Sequence, residues 1–252
     1  KDGFLKTDIN SNELVDFLSK EVENQNPKNN EKNHIFFEIN SEMQKKIKEH
    51  INYKFGAILK EFENYYRNKI AVINIDLKRN YGLNDLSHYS SRNRTKEKEY
   101  YNMYFHCDYY TMNYFKLFIN LHDITEEYGP LSFYSIQDTK NFVKKANYKS
   151  RNEYNNIELP GMIKNCGKRG ESLFLNTPQC VHRASIPKKG NYRDVLFVTF
   201  AATPDKISDL FHYEKDHSDS IWKREKTLSK MLAKPKNMRK TFQLYRNLSK
   251  KN

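Results

Sequence analysis

Cysteine is scarce in this sequence. Cys107, Cys166 and Cys180 are the only three, and an odd number at irregular spacing excludes a disulfide framework of the kind that staples small secreted domains. The expected setting is therefore reducing and cytoplasmic. No Cys-x-x-Cys occurs, which removes the usual signature of a structural zinc site. Long apolar runs are absent too: none approaches the ~20 residues that a membrane-spanning helix needs. No signal-peptide pattern opens the chain. Acidic side chains are outnumbered, 31 against 44 Lys and Arg, for a net charge of +13. Tryptophan occurs once, against 18 Tyr and 16 Phe. With abundant Lys, Asn and Ile, that bias matches AT-rich coding and carries no functional message. The 252 residues are enough for one well-filled core.

What is present is periodic. Leu14, Phe17, Leu18 and Val22 make an apolar stripe behind a cap at Asn10 or Ser11. Residues 25–34 are polar and predict an exposed loop, and 35–39 predict a strand. Met43, Ile47, Ile51, Phe55, Ile58, Phe62 and Tyr66 then recur at steps of three and four over residues 41–67, behind a capping-box pair, Ser41 and Gln44. That stripe should back onto a sheet. Alternating, β-branched or aromatic segments follow at 70–77, 100–110, 114–121, 131–134, 170–175 and 193–201, with a hairpin turn at 188–191. Residues 79–99, with Arg92 and Arg94, predict a solvated loop. Residues 137–168, with Lys144 and Lys145, predict an insertion loop near a site mouth. From Pro204 the pattern is helical. Helices followed by many short strands predict a mainly β sandwich or barrel with helices packed outside.

Alternate side chains on a strand share a face. Within Tyr104–Tyr110, His106 and Asp108 therefore point one way and Cys107 the other. An imidazole and a carboxylate are two-thirds of a two-His-one-carboxylate set, which binds Fe(II) and leaves one face of its octahedron open. His182 is the candidate third ligand. Such a centre keeps one net positive charge, which suits chelation by a dianionic 2-oxo acid. A guanidinium suits that acid's distal carboxylate, because its planar fork grips both oxygens. Arg193, eleven residues after His182 at the head of a strand, is the candidate. The His-x-Asp spacing alone is weak, since His217-Ser218-Asp219 repeats it in a helical-looking stretch, where i and i+2 do not face together. His122 and Asp123 are adjacent and would face opposite ways on a strand, so that pair reads as structural. Cys180, two before His182, reads as a core thiol.

These pieces resemble the Fe(II)/2-oxoglutarate-dependent dioxygenases, specifically the phytanoyl-CoA dioxygenase-like branch. Four match in order: Asp2-Gly3-Phe4; His106-Cys107-Asp108; Leu121-His122-Asp123 leading to Gly129-Pro130-Leu131; and Gly170-Glu171 with Phe174, His182 and Arg193. The step of eleven from His to Arg is the most specific of them. The resemblance implies a double-stranded β-helix (a jelly roll, cupin-like) with N-terminal helices and a helical C-terminal tail. It implies Fe(II) bound by His106, Asp108 and His182, and 2-oxoglutarate bound by Arg193 and consumed with O2. Phe118 falls where the family often sets an aromatic against the cosubstrate, and Asn93 where some members set a polar contact to it. Ser135-Ile136-Gln137-Asp138 departs from the family pattern, as does Ala184 with Ser185 after it. Substrate, phytanoyl-CoA included, therefore does not carry over. Related halogenases have Gly or Ala in place of the carboxylate; Asp108 implies a hydroxylase instead.

The expected division is a dioxygenase domain over 1–204 and a basic helical extension over 205–252. Residues 223–252 hold eleven Lys and Arg against one acid, Glu225, and Met238, Phe242, Tyr245 and Leu248 form an apolar stripe. Three uses compete for it: packing on the barrel or a second subunit, lying on an anionic membrane surface or polyanion, and binding nucleic acid, for which no motif is present. The expected substrate is a small biosynthetic molecule, anionic if the basic residues near the mouth serve it. A non-catalytic jelly-roll binding module with a basic tail for an anionic partner, and a zinc or manganese hydrolase on the same ligands, are the rival readings.

Overall fold

The apolar stripe of the longer helix sets the layering. The computed structural model describes residues 2–25, 34–82, 104–108, 113–146 and 157–203. In chain order these form β1 (Phe4–Thr7), α1 (Asn12–Asn24), β2 (His34–Phe37), α2 (Ser41–Tyr66), β3 (Lys69–Tyr81), β4 (Tyr114–Asn120), β5 (Leu131–Phe133), α3 (Ile136–Lys145), β6 (Ile163–Lys164), β7 (Ser172–Leu175), β8 (His182–Ala184) and β9 (Tyr192–Thr203). The strands build one six-stranded sheet in the order β1-β7-β4-β9-β3-β2 and one three-stranded sheet in the order β6-β5-β8. Every described pairing is antiparallel. This is the jelly roll with flanking helices expected above.

Period two decides which side chains go where. On the outer face of the large sheet, Ile75, Leu77, Phe115, Leu117, Ile119, Phe174, Leu196, Val198 and Phe200 pack against the stripes of α1 and α2, in one cluster with Met43, Ile47, Ile51 and Phe55. Each such side chain contributes about 1.5–3 kcal/mol on full burial, so docking, more than helix propensity, holds α2 in place. On the inner face, Leu173 and Leu175 of β7 meet Leu131 and Phe133 of β5, with Phe118 packed alongside. That inner face also carries polar side chains: Asp76, Lys78 and Asn80 on β3, Lys116 and Asn120 on β4, and Arg193 and Thr199 on β9.

Three expectations are corrected. Residues 104–108 are not part of a sheet strand: they make one isolated bridge, His106 to His182. The aromatic density there serves packing, with Phe105 set 5.4 Å from Tyr134 and 5.1 Å from Phe142, centroid to centroid. The predicted loop at 137–168 contains α3, whose N-cap Ser135 accepts a hydrogen bond from Asp138 N–H at 3.0 Å and whose last turn carries Lys144 and Lys145. The cap of α2 is Asn40 rather than Ser41; its side chain accepts from Met43 N–H at 2.9 Å. Residues 83–103 and the tail from 204, with Arg92, Asn93, Arg94 and His217, lie outside the described residues. No helix among the described residues is long and apolar enough to cross a membrane.

Candidate metal centre

The centre starts from one backbone rung. His106 N–H donates to His182 O at 2.9 Å and His182 N–H donates to His106 O at 2.8 Å. That pair sets the two rings side by side, with centroids 4.3 Å apart. Asp108 N–H donates to Thr177 O at 3.1 Å, which ties Asp108 to the turn after β7. Each ring is then oriented by a backbone carbonyl: Nδ1 lies 2.8 Å from Tyr104 O in His106 and 2.9 Å from Cys180 O in His182. A carbonyl oxygen only accepts, so Nδ1 carries a proton in both rings, and Nε2 is the nitrogen left to take a metal. Those two Nε2 atoms stand 3.7 and 3.8 Å from the same atom, Asp108 Oδ1. One ligand atom from each of the three residues lies within 4.8 Å of the other two. Two imidazoles with Nε2 turned inward and a carboxylate, all nearly inaccessible, form a donor set that fits a divalent transition metal.

Sequence reasoning missed the partner of the carboxylate. Lys116 Nζ sits 2.8 Å from Asp108 Oδ2. Burial pushes the Asp108 carboxyl up, but Lys116, then His182 and His106, pull it well below the usual carboxylate range. These partners favour the carboxylate anion of Asp108. A lysine on a central strand is an unusual choice, and that oddity within Tyr114-Phe115-Lys116-Leu117-Phe118 is the one sequence signal that marks it.

Arg193 is fully inside the inner face, 7% exposed. Its Nη1 donates to Gly129 O; among the described residues its Nε is buried without a hydrogen-bond partner, and no carboxylate pairs with it. Burial lowers its pKa to about 10. Lys78, also missed from the sequence, lies two positions along the same face; burial first, and then Arg193, bring it down to about 7. A buried guanidinium with an orphaned donor, beside a second cation, is chemically suited to receive a carboxylate. Phe118 lies on the same inner face, its ring 5.9 Å from that of Phe197.

The remaining candidates fall away from the cluster. Burial pushes the Cys107 and Cys180 thiols up to about 12, so both are inert thiols at neutral pH, and neither joins the ligand set. His122 is structural: Nδ1 lies 2.9 Å from Asp123 O, and Nε2 accepts from Asp194 N–H at 3.1 Å. Only the neutral ring can do both, and burial lowers its pKa. A lowered folded-state value favours the neutral form, so the contribution is complete above the unfolded value near 6.5 and is lost as pH falls below it. The melting temperature of the metal-free chain should drop from pH 7 to pH 5. His122→Gln, which keeps an acceptor near the Nε2 position, should make that drop shallower.

No family model matches the sequence, and no curated protein matches it. Solved structures match in fold. HygX from Streptomyces hygroscopicus with nickel and 2-oxoglutarate bound superposes at a TM-score of 0.54 with 13% identity, covering 80% of this chain and 83% of that one. HygX with nickel, 2-oxoglutarate and hygromycin B bound gives 0.52, 13%, 80% and 84%. EctD from S. alaskensis with 2-oxoglutarate and 5-hydroxyectoine gives 0.52, 15%, 80% and 72%. At these identities the likeness is one of fold.

Proposed function

We propose that this chain, folded as the jelly roll of 2-oxoglutarate-binding proteins such as HygX and EctD, is a non-haem Fe(II)- and 2-oxoglutarate-dependent hydroxylase. The observation that carries the proposal is the convergence of His106, Asp108 and His182 within 4.8 Å, with both imidazoles held in the Nδ1–H form. These three residues hold Fe(II). Arg193 takes the distal carboxylate of 2-oxoglutarate, assisted by Lys78, and Phe118 packs against the cosubstrate. Asn93 is the further polar contact in this scheme. Bound iron supplies the redox chemistry that uses O2 to decarboxylate 2-oxoglutarate to succinate and CO2 while a substrate C–H bond is hydroxylated. The chain's own work is geometric and electrostatic. Backbone carbonyls orient the imidazoles, the guanidinium orients the cosubstrate, and Phe118, Leu131, Phe133, Leu173 and Leu175 form the dry packing between the two sheets. Retention of the Asp108 carboxylate favours hydroxylation over halogenation.

The substrate is a small molecule, anionic in this reading. Small-molecule ligands accompany HygX and EctD in their structures, and the inner face of the large sheet carries Lys78, Lys116 and Arg193. The basic extension over 205–252 serves a second subunit or an anionic surface. The direct test is succinate release from 2-oxoglutarate with Fe(II) and O2. Turnover should vanish in His106→Ala and persist in His217→Ala. Ligand binding without succinate would favour the non-catalytic binding module, and zinc or manganese retained after anaerobic purification would favour the hydrolase.

A further inference from the structure

The two oxygens of Asp108 face different partners. Oδ1 is turned to both imidazole Nε2 atoms, at 3.7 and 3.8 Å, and Oδ2 is engaged by Lys116 Nζ at 2.8 Å. We infer that Lys116 is a positioning residue that limits Asp108 to one-oxygen coordination, and so divides the centre's affinity between metal and cosubstrate. The inference rests on the functional reading above.

Lys116 is placed to do this by the fold. It sits in the middle of β4, paired with Leu175 of β7 on one side and Thr199 of β9 on the other. Its side chain is 15% exposed, and its ammonium lies 5.7 Å from the centroid of the Phe197 ring. A side chain anchored on a central strand and walled by an aromatic has little freedom to swing away. The bland alternative is that Lys116 only neutralises a buried carboxylate in the metal-free chain. The two roles differ in their consequences. An ammonium and a divalent metal compete for one carboxylate, so removing the ammonium strengthens metal binding. A dianionic cosubstrate loses a neighbouring cation by the same change. A carboxylate released from Lys116 can also turn its second oxygen to the metal, taking a position the 2-oxo acid needs. A lysine that only supported the fold would move both affinities in one direction.

The test is anaerobic titration with Fe(II), then with 2-oxoglutarate, read by the visible charge-transfer absorption of the Fe(II)–2-oxo acid chelate. A thermal melt of each metal-free variant accompanies it. Lys116→Met should bind Fe(II) at least about tenfold more tightly and 2-oxoglutarate at least about tenfold more weakly, the lower end of what partners of a ligand are worth. Lys116→Arg, which keeps charge and donors, should stay near wild type in both constants. If Lys116→Met fails to fold, Lys116→Gln is read the same way, with the two constants moving apart by a smaller factor. Constants that move together, or do not move, overturn the inference while leaving the hydroxylase reading intact. A wild-type chain that takes up neither Fe(II) nor 2-oxoglutarate overturns both.

Discussion

Asp108→Ala is expected to lower 2-oxoglutarate turnover by well over 100-fold, beyond the ~10–100-fold that removal of a mere outer-shell partner costs. Asp108 supplies the only anionic donor of the cluster. Without it, two neutral imidazoles face a divalent cation with the Lys116 ammonium still close by. The same substitution strips Lys116 of a partner at 2.8 Å in a site where both side chains are under a sixth exposed. Breaking a buried pair from one side costs about 3–5 kcal/mol, because the surviving charge stays desolvated, so the metal-free chain should also melt earlier. The double variant Asp108→Ala/Lys116→Met separates the two effects: it should recover stability and remain inactive.

Arg193→Met is expected to raise the KM for 2-oxoglutarate by on the order of 100-fold, since truncating one partner of a buried charge pair costs about 2–5 kcal/mol. Stability should hardly change. Among the described residues the buried guanidinium has no carboxylate partner and its Nε no hydrogen-bond partner; its removal ends a desolvation cost. Against that stands the one bond to Gly129 O, worth about 1 kcal/mol. A large KM effect on an unchanged melting curve marks a binding group, whereas a KM effect that tracks lost stability would mark a structural arginine.

The parts of this fold that could be read from the chain are those whose period is strong. The stripe from Met43 to Tyr66 places α2 to within a residue at its end, and the alternation around Ile75, Phe115 and Val198 marks β3, β4 and β9 as buried. Weak stripes fail: α3 buries only Thr139 and Phe142, so its residues look like polar loop. Aromatic density misleads at 100–110, where Phe105 fills a cluster with Tyr134, Phe142 and Val181 without making a sheet strand. His106, Asp108 and His182 were singled out by their spacing and by the length of the His-to-Arg step, and they converge although 104–108 makes only an isolated bridge rather than the expected strand. Lys116 and Lys78 were not. Their meaning depends on register across β3, β9 and β4, which puts lysines that would otherwise suit an edge or a surface onto the inner face of the large sheet.

The account stands most directly on a crystal grown anaerobically with Fe(II) and measured at the iron absorption edge. One anomalous peak should lie within about 2.3 Å of Nε2 of His106, Nε2 of His182 and Oδ1 of Asp108, ordinary bonding distances for such donors. An iron peak elsewhere, or no peak between those three atoms in a chain that binds iron in solution, would contradict it.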